Sequence, residues 1–104
     1  MMQAMQALQQ MQAKVAETEA KLAAMSVTEV GGEGILRVTA DGKGTITAVE
    51  IDEQRLKGES KEVIEDLLLT TINRVVASAE TMKTRAMAEA TQGLMPNLPG
   101  MFGK

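Results

Sequence analysis

From Gln3 to Met25 the chain has no glycine or proline, and its apolar residues return every seven positions. Leu8, Val15 and Leu22 share one register, Met11 and Met25 the other, and Ala4 and Thr18 complete the seam. Ala, Gln, Met, Lys and Glu fill most other positions, all residues that enter helices at little cost. The spacing predicts one long helix whose narrow apolar stripe packs against a second long helix.

The pattern then changes. The runs "SVTEV", "GILRVTA" and "GTITAVEID" are short, rich in β-branched residues and separated by "GGEG" and "DGKG". Leu36 and Val38 alternate with Arg37 and Thr39, which predicts a sheet wet on one face. Asp41-Gly42 predicts a tight hairpin turn with positive φ at the glycine. A three-stranded antiparallel meander is the simplest assembly. "DEQRLKGES" reads as a connector with a single helical turn at Glu53 to Leu56, and Ser60 as the N-cap of a second long helix. Glu62, Glu65 and Asp66 suit that helix's positive end.

The second helix should run to Gln92, where Gly93 and Pro96 stop it. Its seam is Ile64, Leu68, Ile72, Val75, Ala79, Met82 and Ala86. Val63, Leu67, Leu69 and Val76 add apolar surface on other faces, which predicts burial on more than one side. Residues 1–92 are thus expected to form a single α-β-β-β-α domain, and 93–104, with two prolines and three glycines, a mobile tail.

At 1.5 Å per residue the helices would be about 35 and 48 Å long, against about 20 Å for a six-residue strand. They must overhang the sheet. A small sheet with an open edge and face calls for a second copy of the chain, so a homodimer is expected.

Composition narrows the chemistry. The 104 residues include nine Met, one Phe, and no Trp, Tyr, Cys or His. The core must be aliphatic. Without His or Cys there is no Ser-His-Asp arrangement, no thiolate site and no usual zinc ligand set, so an enzyme, a metal or a cofactor is not expected. The glycines of "GGEGILRVTADGKGTIT" lead into strand patterns rather than a helix, which fits turns and not a phosphate cradle. Glu50 and Asp52 share a face of a strand but lack a third ligand, and read as solvated carboxylates. The start lacks a basic segment and no apolar run would span a bilayer, so a cytoplasmic protein without a membrane or small-molecule partner is expected.

The net charge is −3. Residues 26–72 carry five more acids than bases, 1–25 balance, and 73–104 carry two more bases than acids. The basic candidates are Lys14 and Lys21, one heptad apart, with Arg74, Lys83 and Arg85 on the second helix. Taken singly they read as solvated surface. Doubled in a dimer they supply up to ten cations (five from each chain), enough for weak, sequence-blind phosphate binding. A lone Phe102 excludes an aromatic platform for single strands.

"MQALQQMQAKVAETEAKLAAMSVTEVGGEGILRVTADGKGTITAVEIDEQRL", then "EVIEDLLLTTINRVVASAETMK" and "GLMPNLPG", resemble the YbaB/EbfC nucleoid-associated proteins in word order over nearly the whole chain. The resemblance implies an α+β fold: a long N-terminal helix, a three-stranded antiparallel sheet and a long C-terminal helix, in a tweezer-like homodimer joined through the central sheets. It also implies binding of double-stranded DNA with little sequence preference, and a place in nucleoid organisation and gene regulation. The projecting helices carry that role in the family, which maps it here onto Lys14, Lys21, Arg74, Lys83 and Arg85. Two departures stand out: the first helix has only two lysines, and Arg74 sits where relatives commonly have an acid. The alternative is a dimeric protein-interaction module that uses the Met-rich seams to hold a partner helix.

Overall fold

A computed structural model describes residues 2–92 of the chain. The elements are α1 (Met2–Ala24), β1 (Ser26–Gly31), a single 3-10 turn (Gly32–Gly34), β2 (Leu36–Asp41), β3 (Ile46–Ile51), α2 (Glu53–Leu56) and α3 (Lys61–Gln92). This is the α+β arrangement expected, with a sheet in the order β1-β2-β3 and both pairings antiparallel. Residues 93–104, expected to form a mobile tail, lie outside the described residues.

Local chemistry accounts for the boundaries. Ser60 Oγ accepts from the Val63 N–H at 3.2 Å, and the Asp52 carboxylate accepts from the Arg55 N–H at 3.3 Å, so each caps the helix that follows it. Asp52 is therefore committed to a cap, and Glu50 pairs with Arg37 at 3.5 Å.

The β2–β3 turn differs from the tight turn expected at Asp41-Gly42. Asp41 N–H bonds the Thr45 carbonyl at 2.9 Å, closing a three-residue loop in which Gly44, not Gly42, takes the positive φ of 95°. Gly42 serves a different need. A Cβ there would stand 2.7 Å from the carbonyl oxygen of Leu22, so glycine lets the end of α1 sit directly on the hairpin. The "GGEG" connection is likewise no simple hairpin turn: Gly32, Glu33 and Gly34 all have positive φ, at 62°, 58° and 109°.

The core forms where α3 crosses the sheet. Leu36, Val38 and Ala40 of β2 pack on Val75 and Ala79, with Val27, Leu67 and Leu68 at the margin. Fully burying a Val or Leu side chain contributes about 1.5–3 kcal/mol, and the fully buried Leu22 of α1 adds to this small aliphatic set. The opposite face of the sheet carries Thr28, Arg37, Thr39 and Glu50, as the alternation predicts, with Val30 and Ala48 beside them.

Past the sheet, α1 returns along the second half of α3. Together they form an arm whose inner contacts run from Met11, Val15, Thr18 and Leu22 to Met82, Ala86 and Ala90. The molecule measures 66 × 29 × 16 Å with a radius of gyration of 19.5 Å, against about 13 Å for a compact chain of this length. The helices do overhang the sheet.

One expectation is not met within a single chain. Val63, Leu69 and Val76 were expected to be buried on a second side of α3, yet they are 46%, 62% and 42% exposed. For Leu69 and Val76 the reason is that α3 packs chiefly on β1 and β2 and leaves β3 largely uncovered, all six of its residues being exposed.

Candidate nucleic-acid interface

Two surfaces of the described residues stand apart from ordinary solvated exterior: the arm, and an apolar band beside β3. On the arm, Lys14 and Lys21 lie on one side of α1 and flank a shallow groove of about 300 Å³ against Ala86 and Glu89 of α3. Seven residues of helix separate them by about 10 Å. The groove holds its shape because Thr18, between them, is buried and returns its hydroxyl to the Lys14 carbonyl at 2.7 Å. Lys14 Nζ also lies 3.4 Å from Glu17, an exposed pair of consecutive turns worth only a few tenths of a kcal/mol and easily exchanged for another anion.

The three α3 candidates do not join that groove as one patch. Lys83 and Arg85 are two residues apart and so point to nearly opposite sides of the helix; Arg85 lies beside Thr81, Thr84 and Ala88. Lys21, Lys83 and Arg85 make no ion pair among the described residues. Arg74 is different. Its Nη2 lies 2.6 Å from the Val30 carbonyl and 3.4 Å from Glu29 Oε1, so the guanidinium is bonded to β1 while about half of the side chain stays exposed. Across the arm, four cations (Lys14, Lys21, Lys83, Arg85) meet four carboxylates (Glu17, Glu19, Glu80, Glu89), so attraction for an anion depends on which side is presented and not on a net charge.

The second surface was not read from the sequence. Leu36 pairs with Ile51 and Val38 with Val49, so Ile51 and Val49 lie on the α3 side of the sheet. With α3 centred over β1 and β2, these β3 residues are left 51% and 50% exposed. Ile51 meets Leu68 around a small apolar recess, and Ile72 and Val76 continue the same flank of α3, one turn at a time. The result is a continuous aliphatic band. Its signal was present as the surplus apolar residues of α3, but only the position of the helix on the sheet shows that they and β3 share one surface. Among the described residues no cluster of His, Cys, Asp or Glu could hold a metal, and no helix is long and apolar enough to cross a membrane.

A long N-terminal helix, a three-stranded antiparallel sheet and a long C-terminal helix, with lysines along a projecting two-helix arm, define a protein of the α+β class. The chain belongs to the YbaB/EbfC DNA-binding family, whose pattern matches residues 1–94. Among curated relatives, a nucleoid-associated protein of Brucella anthropi is 36% identical over 99 residues, covering 95% of this chain and 89% of its own. One from Brucella ovis matches to the same extent. In fold, the chain is similar to a crystal structure of an uncharacterized protein from Helicobacter pylori, with a TM-score of 0.68 at 23% identity over 75% of this chain and 82% of that one.

Proposed function

We propose that this chain binds double-stranded DNA as a homodimer with little sequence preference, in the nucleoid of the bacterial cytoplasm, altering DNA organisation and through it gene expression. The observation that carries the reading is the arm: a pair of lysines flanking a groove on helices that stand clear of the acidic body, in a chain of a DNA-binding family. Lys14 and Lys21, with Lys83 and Arg85, are the cations this reading assigns to phosphates. Such contacts position a duplex without selecting a sequence.

The aliphatic band supports the dimer reading. Val49, Ile51, Ile72 and Val76 are too exposed, and β3 too open, for a surface left in water. A second copy related by a two-fold axis covers the same band on both chains.

The test is duplex binding as a function of salt, with the mass in solution measured alongside. Log K should fall linearly with log salt. Each phosphate contact contributes about 0.9 to that slope, so Lys14→Gln with Lys21→Gln, removing four charges from a dimer, should reduce it by about 3.6 for every sequence alike. Absence of any complex at low ionic strength, or a slope unmoved by the double substitution, would sink the reading. The alternative, a protein-interaction module, draws on Met2, Met5 and Leu8, which are 78%, 63% and 56% exposed at the tip of the arm. It requires a protein complex insensitive to salt and lost when Leu8 is made polar.

A further inference from the structure

Both β1 and β3 are edge strands, and each leaves a row of backbone groups without a strand partner. The ladder shows which ones. The Asp52 N–H donates to the Ile35 carbonyl at 2.8 Å, which makes Leu36 and Ile51 a non-hydrogen-bonded pair. Arg37 and Thr39 therefore turn their backbone groups toward β3, and Leu36, Val38 and Ala40 turn theirs toward β1. Gly31, Glu29 and Val27 answer them, so Ser26, Thr28 and Val30 direct their N–H and C=O groups outward. The 2.8 Å contact between the Thr28 and Thr39 hydroxyls agrees, since side chains approach closest at non-hydrogen-bonded pairs.

On that outward row sits Arg74. Its Nη2 donates to the Val30 carbonyl at 2.6 Å and reaches Glu29 Oε1 at 3.4 Å, while Ser78, one helical turn on, donates to Glu29 Oε2 at 2.8 Å. Glu29 thus anchors two successive turns of α3, and the guanidinium covers an acceptor that an added strand would need. Nothing comparable guards β3: among the described residues no side chain bonds to the backbone of Ile46–Ile51.

We infer that Arg74 is a positioning residue for assembly: by capping the free edge of β1 it leaves β3, with the adjoining flank of α3, as the surface to which a second copy is added. The inference rests on the homodimer proposed above. In a dimer joined at β3 the two β1 strands are outermost. Were they open, each could pair with the next dimer, and such a contact repeats without closing.

The test compares wild type with Arg74→Met, which keeps the apolar stem and removes the guanidinium. Mass is followed from low to high protein concentration, far-UV ellipticity checks the fold, and duplex binding is measured against salt. Wild type should hold two copies throughout. Arg74→Met should hold two when dilute and four or more when concentrated, with an unchanged salt slope. Adding Thr28→Pro should restore two copies, because the Thr28 N–H points outward and proline there removes no ladder bond. Arg74→Gln, which retains a donor for one of the two acceptors, should give a smaller shift and serves if the Met variant does not fold.

Masses that track wild type over the whole range would overturn the inference. So would a salt slope reduced by about 1.8, the signature of two guanidiniums per dimer on phosphates. A wild type of one copy would defeat the dimer reading alone; the cap would then be tested by whether Arg74→Met grows from one copy to two.

Discussion

Replacing Gly42 by Ala asks how the arm is seated on the sheet. A Cβ at that position would stand 2.7 Å from Leu22 Cδ2, 2.7 Å from the Leu22 carbonyl oxygen and 3.0 Å from Leu22 Cα. The first atom can rotate aside. The other two are backbone in the last turns of α1, and the only relief is for the end of the helix to lift. Lifting strains the 2.8 Å bond from the Gly42 N–H to the same carbonyl and loosens Leu22, which is fully buried. Overpacking of this kind costs about 1–3 kcal/mol and a weakened hydrogen bond about 0.5–1.5 more, so a loss of about 2–4 kcal/mol is expected. For a chain of this length that is a large share of the about 5–15 kcal/mol available.

Urea unfolding followed by far-UV ellipticity, at one fixed protein concentration, measures it. Gly44 is the control. Nothing lies within 4 Å of a Cβ there, and the demand is only for φ of 95°. Asn, which tolerates left-handed backbone, should therefore recover part of what Ala loses at 44 and nothing at 42. A Gly42→Ala protein within about 0.5 kcal/mol of wild type would refute the argument that close approach, rather than turn geometry, requires this glycine.

Two further substitutions probe α3. Thr71 is fully buried with no hydrogen-bond partner for Oγ1 among the described residues, so Thr71→Val, nearly the same shape without the polar atom, should raise stability by about 1 kcal/mol in the same assay; a comparable fall would mean that the hydroxyl is bonded in solution. Ser60→Ala should cost about 1 kcal/mol by releasing the Val63 N–H, whereas Ser60→Asp should cost little, since a carboxylate caps as well and faces the positive end of the helix.

Elements with strong local signals were legible in the sequence. The cap at Ser60, the single turn at Glu53–Leu56 and the alternation of Leu36 and Val38 with Arg37 and Thr39 each depend on a few neighbouring residues, and each stands as expected. What depends on packing between distant segments was not legible. The Asp41-Gly42 pair gives a tight-turn signal, but the approach of Leu22, about twenty residues away in the chain, decides what Gly42 does. Arg74 shows the same limit at the candidate site. As a cation on a projecting helix it looks like a phosphate ligand, and only the fold brings Glu29 and the Val30 carbonyl to it, 45 and 44 residues away. The apolar band was hidden for a related reason: period and composition show that α3 has apolar residues to spare, not which strand they lie beside.

The first turns of α1 have a consequence for how the arm meets a ligand. Residues 2–10 are exposed along their length, while Thr18 and Leu22 are buried. Helix there is held chiefly by its own backbone bonds and by the propensity of Ala, Gln and Met, with no buried side chain among the described residues of those turns to raise the free energy of opening. Amide hydrogen exchange should accordingly slow in steps from the tip toward Leu22. A surface that lies along the tip would register as new protection in those turns, whereas one held nearer the sheet would leave their exchange unchanged.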